Sequence, residues 1–590
     1  MNKKTKNFNF LPMTKQEMQL KGWTELDIII ITGDPYIDHH SCGAAVCGRS
    51  LEADGFKVGI IAEPDINKNE DFTALGSPRL FFAISSGAVD SMLKNYTANK
   101  KPRRTPNARK TSIPDRALIK YTNKIKQNFK NKPIILGGLE ASMRRLAHYD
   151  YWSTKIRHSI LLDSKADLLI YGMGERQLIE IANRLKQGKK ITDIRGTCIV
   201  KNKINIDNYI LLPSFEEIST DKKAYLKAFK LIYENQNPGR SKTLIQPDAK
   251  RFLIHNLPQF PYSPKELDFI FELPYQNIWH PTYDQTGGVP GFKDMMQFSL
   301  ISNIGCPGEC SFCSIFCHQS RVVQSRTPES IYLEALKLSK HPDFKGTFTD
   351  IGGATANLFL AGCNVWSQGG FCKERHCLLP EKCPNLKLNY PMAITVYQNI
   401  KNIPGVKHVF IQSGLRYDLL FGNDESEEYL EYICRNNISG RMKVAPEHTD
   451  DKVLKLMNKP KYGVYKQFKK AFRKVSRKLK KPVFLVNYYI TSHPGTTLDK
   501  AVNMGLHCTS KNIMPEQIQD FIPLPMTLSA AIYYSKTHPL TNEKIYVPET
   551  EEERAMQRAL VQYKNKNSEK YIRKALQKIK KIYLFKKFIK

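Results

Sequence analysis

The feature that most limits what this chain can become is Cys306-Pro-Gly-Glu-Cys310-Ser-Phe-Cys313, which follows the apolar stretch Met296 to Ile304 and Gly305. The stretch reads as a buried strand whose carboxyl end opens into a short cysteine loop. Three thiolates spaced C-x3-C-x2-C can grip three corners of a cuboidal iron–sulfur cluster and leave its fourth iron open. An open coordination position is what a catalytic metal site keeps and a structural one lacks. A zinc site with Cys317 or His318 as fourth ligand is the alternative. Structural zinc, however, usually pairs C-x2-C with a second pair farther on, a spacing this triplet does not follow.

The loop sits inside a repeating pattern. Candidate strands are Met296–Ile304, Gly346–Gly352, Lys407–Ser413, Arg441–Ala445, Val483–Ile490 and Ile518–Pro523, with helical stretches such as Thr327–Lys340, Met392–Asn402 and Asp450–Met457 between them. Six βα units predict a partial (β/α)6 barrel, whose chemistry gathers where strands end and loops begin. Upstream, Leu26-Asp-Ile-Ile-Ile-Ile-Thr-Gly33 reads as a parallel strand buried on both faces, followed by a helix over Gly43–Asp54 and a strand over Phe56–Ala62. Further strands at Leu80–Ser85, Lys132–Gly137 and Asp167–Tyr171 make this a doubly wound, Rossmann-like α/β domain. The expected order is an arm over 1–24, the Rossmann-like domain over 25–196, a proline-containing connecting region over 197–290, the partial barrel over 291–535, and a basic helical tail over 536–590.

Composition bounds the rest. A chain of 590 residues has length for roughly three or four domains. Hydrophobic content of 41% with 25% charged residues is that of a globular protein. Met1–Gln19 has no apolar core of a signal peptide and no apolar run reaches membrane-spanning length, so a cytoplasmic protein without membrane contact is expected. Thirteen cysteines, an odd number in such a chain, favour metal ligands and free thiols over disulfides. The +34 net charge fits RNA or another polyanion as partner, but it equally fits lysines that merely solvate the surface. The same choice applies to the basic loop Asn95–Arg116 (Lys100, Lys101, Arg103, Arg104, Arg109, Lys110). The set Met143-Arg-Arg145 to Trp152 can stack on a base or pack internally.

The cysteine triplet, with Phe312 before its last cysteine, resembles the signature of the radical S-adenosylmethionine (SAM) enzymes. Other segments are similar to the YgiQ-type family within them: Gly33-Asp-Pro-Tyr-Ile-Asp38-His39, Leu136-Gly-Gly-Leu-Glu-Ala-Ser-Met-Arg-Arg145, Asp350-Ile-Gly-Gly-Ala-Thr-Ala-Asn357, Val444-Ala-Pro-Glu-His448 and Ile490-Thr-Ser-His-Pro-Gly495. The resemblance runs from about Leu11 to about Val547. It implies a [4Fe-4S] cluster on Cys306, Cys310 and Cys313, SAM chelated at the open iron, and reductive release of a 5′-deoxyadenosyl radical. It also implies SAM contacts from Phe312 and from the glycine pair Gly352 and Gly353, and an electron donor such as flavodoxin or ferredoxin. Lys443 is placed to meet the SAM carboxylate or ribose. It names no substrate. Two positions depart from the pattern: Ala354 stands where an acidic residue often follows the glycine pair, and His40 stands where proline follows Asp-His.

Three constellations remain open. Cys363, Cys372, Cys377 and Cys383 follow the second barrel strand and suit a second metal, zinc or iron–sulfur, or are unligated thiols. Asp38-x-His40-x-x-Gly43 matches a cobalamin-binding pattern in which the aspartate fixes the histidine's tautomer, which would make the chain a cobalamin-dependent radical SAM methyltransferase. Alternatively Asp34, Asp38, His39 and His40 form a metallophosphoesterase centre, or a loop whose carboxylates cap the next helix. His448, Glu447 and His493 follow predicted strand ends and are candidates for proton handling or substrate positioning. The rival class to an enzyme is a non-catalytic, metal-stabilised RNA-binding protein.

Overall fold

The computed structural model describes residues 8–103, 113–479, 482–513 and 515–589. They form two compact units, Met1–Gln297 with Cys317–Gln319, and Phe298–Phe316 with Ser320–Lys590.

The first unit is built on a nine-stranded sheet: β1 (Ile28–Thr32), β2 (Val58–Ala62), β3 (Phe81–Ser85), β4 (Ile134–Leu136), β5 (Leu168–Ile170), β6 (Thr197–Lys201), β7 (Tyr209–Leu211), β8 (Thr243–Asp248) and β9 (Arg251–His255), in the order β7-β8-β9-β6-β5-β4-β3-β1-β2. Strands β2, β1, β3, β4 and β5 are parallel neighbours, the doubly wound arrangement expected. Every residue of β1 is buried, as a run of four isoleucines requires when helices cover both faces of a sheet. Helix α1 (Gly43–Ala53) links β1 to β2, α2 (Gly138–Met143) follows β4, and α3 (Glu175–Lys186) follows β5.

The sheet does not stop at 196. Strands β6 to β9, drawn from the stretch expected to be a connecting region, continue it in antiparallel fashion from β5 through β6 and β9 to β8. Proline inside a run argues against a central strand, and Pro247 hid this one. Its position explains the tolerance: β7 pairs with β8 only from Thr243 to Ile245, so Pro247 lies beyond the last ladder partner on that side.

In the second unit the barrel is carried, in chain order, by β10 (Ser299–Ile304), β11 (Asp350–Gly353), β12 (His408–Val409), β13 (Arg441–Glu447), β14 (Phe484–Thr491) and β15 (Gln517–Asp520). β10 pairs parallel with β11, and β13 with β14 and β14 with β15. The backbone bond from Ile351 N–H to the Phe410 carbonyl (2.8 Å) ties β11 to the β12 segment, and a parallel bridge joins Leu415 to Val444 of β13. This is the expected partial (β/α)6 barrel.

Residues 536–590 are not a solvated tail. Helices Glu551–Val561 and Ser568–Lys578 bury Leu560, Ile572 and Leu576 against Leu498 and Val502 of the last barrel helix, Leu498–Ser510. Lysines cover the outer faces, and apolar residues at helical spacing hold the inner ones. Among the described residues no helix is long and apolar enough to cross a membrane.

Candidate active site

The site begins where β10 ends. Gly305 at φ +80° turns the chain out of the strand, a conformation glycine adopts without steric cost. The Cys313 N–H donates to the Cys310 carbonyl (2.9 Å) and the Cys306 N–H to the Ser320 carbonyl (3.1 Å), which closes the loop on itself. None of the three cysteines is in a disulfide, and each is half-buried.

Residues far along the chain position this loop. The Ser311 N–H donates to the Met457 carbonyl (3.0 Å), and the Ser311 hydroxyl lies 2.7 Å from that of Ser529. Ser529 in turn lies 2.7 Å from His493 Nε2, while His493 Nδ1 sits 2.8 Å from the Pro494 carbonyl. A carbonyl only accepts, so the imidazole proton is on Nδ1, Nε2 accepts from Ser529, and Ser529 accepts from Ser311. Phe312 meets the His493 ring edge-on at 6.1 Å. Buried His493 is thus committed to holding the loop, and burial lowers its pKa to about 3.

β11 brings the glycine pair alongside. The Ser302 hydroxyl donates to the Gly352 carbonyl (3.0 Å), and Gly353 pairs with Asn303. The Asp350 carboxylate accepts from the N–H groups of Gln412 (2.8 Å) and Ser413 (3.0 Å), fixing the loop after β12. Just past the glycines, Thr355 Oγ1 lies 3.7 Å from Cys306 Sγ. Cysteine loop and glycine strand therefore meet at the carboxyl end of the barrel. Lys443 is half-buried on β13, its carbonyl accepting from the Leu415 N–H (3.1 Å).

Two cations, Arg416 and Lys459, face the thiols. Burial pushes the Cys310 thiol up, and Lys459 and Arg416 oppose that shift. Arg416 is paired with Asp418 (2.7 Å), and Cys310 and Cys306 add to the charges that hold it protonated. Its guanidinium lies so close to Gly308 that a side chain there would meet Nη1 at 2.3 Å. Glu447, pushed up by burial, faces Lys459 at 3.8 Å. The two cations thus offset part of the cost that burial puts on a thiolate here. Arg416 closes the polar segment from Gln412 that the sequence does display. Lys459 and Ser529 carry no local signal.

The second cysteine group also gathers. Cys363, Cys377 and buried Cys383 pack with Trp366, Phe371 and Leu378. Burial pushes the Cys377 thiol up to about 12, with Glu309, Cys372, Cys363 and Cys383 adding to the shift. Glu309, in the first cysteine loop, is ion-paired with Arg321 and accepts from His376 Nδ1 (2.7 Å), which ties the insertion to that loop. Among the described residues no three His, Cys, Asp or Glu side chains converge as ligands of one metal ion. A cuboidal cluster binds each thiolate to a different iron, and so asks for a wider set than one ion does.

Several expectations for the first unit are corrected. Asp38 and His39 are 0% exposed and do not face outward. Asp38 is held by Arg49, eleven residues on along α1, and by the Gln276 N–H (3.2 Å), so it does not orient His40. The His40 ring lies among His39, Phe271 and Tyr275. The histidine-ligated cobalamin pattern is thus not assembled. Nor is a phosphoesterase centre, because Asp34 pairs separately with Lys94 (2.7 Å). Arg144 and Arg145 are buried, Arg144 on Asp90 and Asp150 and Arg145 over the Tyr171 ring, which makes them internal packing and not a base-stacking surface. In the basic loop, Lys100 lies over Tyr151 and Arg103 donates to the Leu93 carbonyl (3.2 Å), whereas Arg104, Arg109 and Lys110 lie outside the described residues.

Buried histidines make stability acid-sensitive. Burial lowers His148 to about 3, helped by Arg144, and lowers His448 to about 4, helped by Lys500. The unfolded chain takes up these protons near the ordinary value of 6.5, and the folded one does not. Their contribution is therefore complete above pH 6.5 and is lost as pH falls towards 4, by up to about 1.4 kcal/mol per pH unit for each histidine. Urea unfolding between pH 7 and pH 5 is expected to show this slope, reduced by about one proton in His148→Gln.

Comparison with known proteins places the chain. Residues 10–299 match the Radical SAM N-terminal family, and residues 516–584 match a domain of unknown function, DUF3362. A fold likeness is seen to the radical S-adenosylmethionine methyltransferase TsrM from Kitasatospora setae, solved with cobalamin and a [4Fe-4S] cluster. It has a TM-score of 0.50 at 11% identity and covers 85% of this chain and 76% of that one. A UPF0313 protein of Methanocella arvoryzae is 45% identical over 572 residues, 96% of this chain and 94% of its own length. One from Clostridium botulinum is 45% identical over 578 residues, 97% of this chain and 90% of its own. Identity of that order sustained from end to end means that the chain belongs to the UPF0313 family.

Proposed function

We propose that the chain is a radical SAM enzyme of the YgiQ type, holding a [4Fe-4S] cluster on Cys306, Cys310 and Cys313. SAM would lie along the end of β11, with Gly352 and Gly353 admitting it close to the backbone and with Phe312 and Lys443 beside it. The observation that carries this reading is the meeting of the cysteine loop with the glycine strand at Thr355, next to the cations Arg416 and Lys459. A cluster with bound SAM supplies one-electron cleavage of the sulfonium to a 5′-deoxyadenosyl radical. The residues of the chain do the rest. Three thiols are kept in one loop by Ser311, Ser529 and Met457, and buried cations offset the negative charge that thiolates bring. A small donor such as flavodoxin or ferredoxin would deliver the electron.

Anaerobic reconstitution with iron and sulfide, then reduction by dithionite in the presence of SAM, tests the reading. Formation of 5′-deoxyadenosine is expected. Its absence, together with iron content unchanged in Cys306→Ala, would overturn the proposal.

Arg416 provides a finer prediction. A buried guanidinium beside two cluster thiolates stabilises the more negative, reduced state. The double variant Arg416→Gln with Asp418→Asn, which leaves no unpaired charge, is expected to lower the cluster midpoint potential by on the order of tens of millivolts. EPR-monitored potentiometry reads the shift.

A further inference from the structure

The first unit contains a cavity that the radical SAM reading does not use. In the order β2-β1-β3-β4-β5 the direction of winding reverses between β1 and β3. Open α/β sheets bind ligands outside the carboxyl ends of their strands at such a reversal. A cavity of about 120 Å³ lies there, walled by Ser85 at the end of β3, Gly137 after β4, Gly174 before α3, Ala44 and Cys47 of α1, and His318.

Size, charge and one polar group decide what it takes. A closed cavity of ~150 Å³ accommodates benzene, so this smaller space, open on one side, suits the inserted edge of one flat ring system and not a sugar–phosphate chain. The strands contribute isoleucine, leucine and alanine side chains and the hydroxyl of Ser85, which accepts from the Gly87 N–H (3.1 Å), and the lining includes no Lys, Arg or Asp. Its one carboxyl group, Glu175, is buried, accepts from the Tyr262 hydroxyl (2.8 Å), and is pushed up by burial. No cation is therefore offered to a phosphate or carboxylate.

The polar group is His318. Ser142 Oγ accepts from the Gly172 N–H (3.0 Å), which directs the Ser142 proton onto His318 Nδ1 at 2.9 Å. The imidazole proton must then be on Nε2. Burial, with Arg145, lowers His318 to about 4, so the ring is neutral at pH 7. A neutral N–H donor in a largely apolar wall without cations is complementary to an aromatic nitrogen.

We propose that this cavity binds the uncharged, flat nitrogen-heteroaromatic ring of a small molecule or cofactor, with His318 donating to a ring nitrogen. Purine bases of nucleosides and the benzimidazole of a cobalamin share this chemistry. The cobalamin case here needs no histidine–cobalt bond, which the Asp38–Arg49 pair already argues against. The site stands independently of what the cysteine loop holds.

The test is titration of the full-length chain with benzimidazole and, separately, with adenine, read by calorimetry and ligand-observed NMR. One of the two rings is expected to bind saturably, one per chain. His318→Phe keeps the ring volume and removes the donor, and should weaken binding about tenfold. Ala44→Phe fills the space from α1 and should weaken it at least as much. If Ala44→Phe lowers the thermal midpoint, His318→Phe decides alone. A preference for benzimidazole identifies a cobalamin-type ligand, and a preference for adenine a nucleoside. Absence of binding by either ring at millimolar concentration, or binding unchanged in His318→Phe, would overturn the proposal.

Discussion

Replacing Cys306, Cys310 or Cys313 with alanine is expected to strip the bound iron and to cut 5′-deoxyadenosine formation on the order of a thousandfold, about 4 kcal/mol of barrier. Each thiolate would hold a different iron, so two remaining ligands leave a second corner exposed to solvent and loss. The barrel should survive the change. The loop is shaped by the Cys313-to-Cys310 and Cys306-to-Ser320 backbone bonds and by Ser311 on Met457 and Ser529, none of which uses a sulfur atom. Iron per chain, product yield and circular dichroism measured on the same preparations check all three statements. A variant that keeps its iron and its yield would show that the triplet has another purpose.

Gly353→Ala is expected to be the most damaging small substitution in the barrel. A Cβ at this position would stand 2.1 Å from the Asn303 carbonyl oxygen and 3.0 Å from its carbon. Both belong to the backbone of β10, so relief requires parting β10 from β11 at the irregularity between Ile301 and Asn303. Overpacking of this kind costs about 1–3 kcal/mol where side chains can adjust, and a backbone contact leaves the upper end or beyond. Gly352→Ala should cost less. There the added carbon meets side-chain atoms only: Ser413 Oγ at 2.5 Å, which can rotate if it leaves Asp350, and Ser413 Cβ at 2.8 Å, which yields only if the loop after β12 shifts. Urea denaturation of both variants checks the order, and the reverse order would mean that β10 and β11 are more loosely joined than their pairing indicates.

What the amino-acid sequence determined was whatever depends on near neighbours. The C-x3-C-x2-C spacing defines a three-thiolate loop wherever it is placed. The isoleucines of β1 can only form a strand covered on both faces, and the alternation of strands with helices after Met295 yields the barrel order without knowledge of any contact. Tertiary structure decided every question of partnership. Asp38 lies two residues from His40 and still pairs with Arg49, because the helix begun at Gly43 carries a guanidinium charge to it inside a buried site. The cations beside Cys310 come from positions 416 and 459, and the hydroxyl that steadies Ser311 from position 529, separations at which no spacing rule applies. Strand β8 was concealed by Pro247 until the short reach of β7 showed why a missing N–H is harmless there. The terminal helices read only as a basic tail because lysine dominates their composition, while the few apolar residues that dock them against Leu498 and Val502 acquire meaning only once that surface is folded.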